Sequence, residues 1–116
     1  MSRELDVRVA RALGLDVCQC KVGSAVSQGN RLVCANWSCG KPISRAYSSF
    51  IAAAIPLFDW LAARGLVRLS NGDGDSKDCD FSPDGFLYPD LRCARVSVDT
   101  WARAICLAFL VANGID

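Results

Sequence analysis

The sequence contains no histidine, a single methionine, no long apolar run and almost no net charge. Each shortage excludes a class of function. Without histidine the side chain best suited to general acid–base work near neutral pH is missing, and with it the usual Ser-His and Cys-His nucleophile pairs. The longest apolar stretch, Ala104 to Ala112, spans nine residues, whereas a membrane-crossing helix needs ~20. Arg3, Glu4 and Asp6 stand where a signal peptide would place its apolar segment. No phosphate-binding glycine loop is present either, because Asn71-Gly72-Asp73-Gly74-Asp75 puts carboxylates where backbone amides would have to meet phosphate. The expectation is a non-enzymatic protein of the cytoplasm with no membrane segment.

With 116 residues, 52% apolar and 22% charged, the chain can bury one core, so residues 1–116 are read as a single domain. The near-neutral total hides an asymmetry. Met1 to Leu69 holds nine basic and four acidic residues, a net +5, and Ser70 to Asp116 holds four and eight, a net −4. The basic half allows a nucleic-acid partner, although its arginines and lysines are scattered rather than grouped.

Periodicity and caps place the elements. Leu5, Val9 and Ala12 form one stripe of a first helix, capped by Ser2 and closed by Gly14. Leu15–Cys20 and Arg31–Trp37 read as two short strands around a polar loop, Lys21–Asn30. Ser48 or Ser49 caps a second helix that ends at Arg64-Gly65, with Pro56 inside it forcing a kink or a restart. Leu66–Leu69 reads as a strand, Asn71–Asp84 as a polar loop, and Phe86–Tyr88 and Cys93–Val98 as two further strands. Asp99 or Thr100 caps a last helix, Trp101–Asn113, closed by Gly114. That helix is apolar on nearly every face, so it belongs at the centre, against the sheet and either another helix or a second copy of the chain as a homodimer. The fold class is α/β of the α+β type. A small mixed or antiparallel sheet is flanked by three helices in the order α-β-β-α-β-β-β-α.

Seven cysteines, an odd number, carry the sharpest chemistry. Cys18, Cys20, Cys34 and Cys39 offer four thiolates that would hold zinc tetrahedrally and order the region around them, with Lys21, Arg31 and Lys41 offsetting the charge. The spacings, Cys-x-Cys and Cys-x4-Cys separated by thirteen residues, depart from the commoner two to four intervening residues. Ordinary reduced thiols and a disulfide or redox role stay open beside zinc. Asp73, Asp75, Asp78, Asp80 and Asp84 suggest a calcium loop. A register starting at Asn71 meets Ser76 where glycine is required and Ser82 where glutamate is required. A hydrated acidic loop able to meet a basic partner is the better account. Trp37, between Asn36 and Ser38, is a candidate contact residue.

Three stretches, Arg3-Glu4-Leu5-Asp6 through Gly14, Tyr47 to Ala54, and Ala104-Ile105-Cys106-Leu107-Ala108, resemble the phage ABA-sandwich domain family. The chain departs from that pattern near Phe50 and Ile55-Pro56. The resemblance implies a phage or prophage origin, helices on both faces of a sheet, and no catalytic residues. It leads to the expectation of an accessory protein in the cytoplasm of a bacterial host. Such a protein would bind a host macromolecule, with an antiviral defence such as CRISPR-Cas among its targets. A zinc-stabilised nucleic-acid-binding module and a small virion or assembly component are the alternatives.

Overall fold

The computed structural model describes residues 3–18, 25–28, 31–35, 39–43 and 45–115. Its elements are α1 (Arg3–Ala12), β1 (Ala25–Gln28), β2 (Arg31–Cys34), α2 (Ile51–Ala62), β3 (Gly65–Asn71), β4 (Lys77–Pro83), β5 (Ala94–Val98) and α3 (Trp101–Ala112). The order is the expected one, and every strand pairing is antiparallel. The strands form two sheets: a β1–β2 hairpin and a β3–β4–β5 meander.

α3 organises the rest. Ala104, Ala108 and Ala112 recur every four residues and pack with Leu61, Cys79, Phe81, Ala94 and Val96 in one buried cluster. Small side chains on that stripe bring the helix close to the inner face of the meander. On the other side Ile105, Cys106, Phe109 and Leu110 join Leu5, Val9, Ala54 and Leu57 of α1 and α2 in a second cluster. Trp60 lies beside both clusters, its ring edge-on to Phe109 with centroids 5.0 Å apart. The helices therefore stack on one side of the meander, with α3 lying across it, the end of α2 reaching it through Leu61, and α1 behind. The other side carries Leu66, Arg68, Ser82, Arg95 and Ser97, all exposed. Helices on both faces, as the resemblance implies, are not formed by the described residues.

Several boundaries differ from the sequence reading, each for a local reason. Thr100 caps α3 by accepting from the Arg103 amide, but α2 starts after Phe50 with no side-chain cap. Ser48 instead donates its amide to the buried carboxylate of Asp6 at 2.7 Å, which ties the start of α2 to α1. The Ser2 cap lies outside the described residues. Pro56 sits inside a continuous α2. The helix tolerates it because Ala52, whose carbonyl has no amide to accept from, is exposed to water.

Gly14 and Gly114 do close their helices in the left-handed region, at φ 81° and 75°. The bonds Leu15 N–H to Ala10 O and Ile115 N–H to Leu110 O complete both caps. Gly65 is different. It opens β3, and a side chain there would collide with the Ser82 carbonyl of the neighbouring strand.

β1 falls within the stretch read as a loop, and Leu15–Cys18 is not a strand. β4 lies inside the supposed polar loop Asn71–Asp84. Its residues alternate, with Cys79 and Phe81 buried and Asp78, Asp80 and Ser82 turned outward. Phe86–Tyr88 is a turn rather than a strand, because the Asp84 carboxylate accepts from the Phe86 and Leu87 amides.

Two substitutions test this frame by thermal and urea unfolding. Ala108→Leu should overpack the seam between α3 and the sheet and destabilise the protein by about 1–3 kcal/mol. Asp6→Ala should remove the link between α1 and α2 and destabilise it by about 1.5–3 kcal/mol.

Candidate metal centre

The segment after α1, the end of β2 and the turn that follows it converge through backbone pairing. The Cys34 amide donates to Lys41 O at 2.9 Å and the Cys18 amide donates to Pro42 O at 2.8 Å. Val33 forms an isolated antiparallel bridge with Pro42. Lys41-Pro42 therefore runs like a short extra strand between Cys18 on one side and β2 on the other. Pro42 is tolerated there because it is used as an acceptor. Cys39 enters from the turn, and Gly40 at φ 60° makes the sharp reversal.

This brings the sulfurs of Cys18, Cys34 and Cys39 within 4.8 Å of one another. Tetrahedral zinc with Zn–S bonds of ~2.3 Å holds its sulfurs ~3.8 Å apart, so small side-chain rotations close the set around a metal. Cys18 and Cys34 are 1% and 3% exposed, and Cys39 is half-buried. Lys41 supplies the local positive charge, pairing with Asp16 at 3.0 Å. Its pKa is raised first by that hydrogen bond and charge, with Cys39 and Cys18 adding to the effect. Cys20 and Trp37 lie outside the described residues, as do Lys21 and the Arg31 side chain.

The acidic residues do not gather. Cys18, Cys34 and Cys39 are the only group of three or more potential ligands among the described residues. Asp73 and Asp75 sit in the exposed turn between β3 and β4. Asp78 and Asp80 belong to the outward row of β4, not to a loop. The Asp78 carboxylate is tucked so close to Gly72 that a Cβ there would lie 2.9 Å from its oxygens. Asp80 pairs with Arg95 at 3.4 Å.

The remaining described cysteines have other surroundings. Cys93 is exposed. Cys79 and Cys106 are fully enclosed in the two core clusters. Burial, with a smaller push from Asp80, raises the Cys79 thiol to about 11. Burial, with Asp6 adding, raises Cys106 to about 12. Both stay protonated near neutrality and behave as small apolar groups. Cys106 lies in the apolar last helix as its sequence implies, whereas Cys79 falls in the stretch read as a loop and its inward position depends on β4.

No protein-family model, no curated protein and no solved structure matches the chain.

The raised core thiols make a pH prediction. At pH below the ordinary thiol value of 9.0 both folded and unfolded chains keep the Cys106 proton, and its contribution is complete. Above it the unfolded chain ionises first, so stability falls until the folded thiol also titrates near 12. Urea unfolding between pH 9 and 11 should therefore show a shallower loss of stability in Cys106→Ala than in the parent. The difference is at most about 1.4 kcal/mol per pH unit.

Proposed function

We propose that this chain is a zinc-stabilised binding module that acts by contact rather than by catalysis. The convergence of Cys18, Cys34 and Cys39 carries the reading. The segment after α1, the end of β2 and the turn that follows it meet at one point where their thiolates can hold a soft or borderline ion. When bound, zinc supplies a cross-link between them without redox chemistry.

Nucleic acid is the partner that the charge distribution supports. The basic surplus lies in the half of the chain that contains the metal centre. Within it, Arg8 and Arg11 of α1 line a recess of about 410 Å³ with Ala12 and Ile115, a place for a phosphate oxygen. A second reading, contact with a host protein by a phage or prophage accessory factor, is favoured by Phe86 and Leu87. They are 92% and 65% exposed on a turn held by Asp84 and by the Arg64 guanidinium over the Tyr88 ring. An ordered exposed aromatic is a suitable interface anchor.

Native mass spectrometry of the purified chain should find one zinc per chain. Cys18→Ser, Cys34→Ser and Cys39→Ser should each lose it, and Cys93→Ser should retain it. A stably folded parent protein without zinc after expression in zinc-supplemented medium overturns the reading. Fluorescence anisotropy with a labelled oligonucleotide separates the partners. Nucleic-acid binding should weaken with salt, and Arg8→Ala with Arg11→Ala should reduce the salt slope by about two. Undetectable binding at low salt assigns the module to a protein partner instead.

A further inference from the structure

The outward face of the β3–β4–β5 meander has a pattern that the metal centre does not use. Its cross-strand rows are fixed by the register. Leu66 stands beside Ser82, Arg68 beside Asp80, and Ser70 beside Asp78. On the far side Arg95 stands beside Asp80 and Ser97 beside Asp78. Leu66 is 72% exposed, and a cavity of about 460 Å³ runs along Leu66, Arg68, Asp80, Ser82, Cys93 and Arg95. Two arginines and two aspartates make the face neutral as a whole. Arg95 is paired with Asp80, while Arg68 forms no ion pair among the described residues.

We propose that this face binds a second copy of the same chain, in a twofold dimer whose axis runs along the strands, midway between β3 and β4. Such an axis exchanges β3 and β4 between the copies and keeps every row in place. Each row then meets its own complement. Leu66 of one copy lies over Ser82 of the other, Arg68 over Asp80, and Ser70 over Asp78.

An axis through β4 is excluded by charge, because it stacks Asp80 on Asp80 and Arg68 on Arg95. An axis between β4 and β5 leaves β3 outside the contact, so Leu66 stays exposed and Arg68 gains no partner. The serines keep the surface low enough for two sheets to approach to ~10 Å. A three-stranded face is smaller than the interfaces of obligate dimers, which bury ~2,000 Å² or more, so the dimer is weak and concentration-dependent.

The experiment is sedimentation equilibrium from about 10 μM to about 1 mM chain. The parent should move from one chain toward two. Arg68→Asp brings a carboxylate against Asp80 of the other copy, and Asp80→Arg brings a guanidinium against Arg68 of the other copy. Each variant alone should therefore raise the dimer Kd at least about tenfold. An equimolar mixture of the two should form a heterodimer, and both changes in one chain should restore the homodimer. A parent that stays monomeric throughout, or a dimer that neither single variant weakens, overturns the proposal. Both positions face solvent, and circular dichroism checks that the variants fold. Amide shifts of the parent on dilution give an independent reading. They should concentrate in Leu66–Ser70 and Asp78–Ser82, and changes confined elsewhere also overturn it.

Discussion

Apolar packing on two opposite sides of α3 is the constraint on which the fold depends. A helix that packs against one neighbour needs one apolar stripe. This one has a sheet before it and two helices behind it, and its sequence is divided accordingly. The alanines at 104, 108 and 112 set the distance to the sheet, while Ile105, Phe109 and Leu110 fill the space toward α1 and α2. The sheet residues that answer the alanines are larger, notably Phe81 and Val96, so the two surfaces interlock. The remaining devices set angles around that axis. Thr100 starts the helix, Gly114 stops it, and the Asp6 carboxylate fastens α1 to the start of α2.

Much of this frame is legible in the chain because its signals are local. The all-round apolarity of Trp101–Ala112 announces a central helix, and Gly14 and Gly114 mark helix ends by their special backbone demand. What escapes is what depends on a distant partner. Asp78 and Asp80 look like loop residues until the alternation with Cys79 and Phe81 is matched to β3. Phe86-Leu87-Tyr88 looks like a strand by apolarity, but one carboxylate at Asp84 bends it into a turn. Gly65 looks like a helix cap, yet its missing Cβ makes room for a carbonyl on the neighbouring strand.

The candidate site divides along the same line. That Cys18, Cys34 and Cys39 belong together can be suspected from chemistry. The means of gathering them cannot, since it lies in the pairing of Lys41-Pro42 with β2 and Cys18. Lys41 is likewise only one of several nearby cations in the sequence, and its pairing with Asp16 depends on where the backbone places them. The acidic positions are the converse case. They are close in sequence, but the hairpin distributes them between a turn and the outer row of a strand.

One consequence concerns the separateness of the thiol region. Among the described elements β1 and β2 pack on each other, and none of the helices or other strands makes an extensive contact with them. The body built on α3 draws its stability from buried hydrocarbon. The hairpin region meets none of those elements extensively, and a metal held by Cys18, Cys34 and Cys39, as proposed above, would fasten it. On that proposal the protein would have two stabilities that answer to different surroundings: one following temperature and denaturant, the other the supply of metal and the redox state around it. It would then be able to shed the order of one part and remain folded in the other.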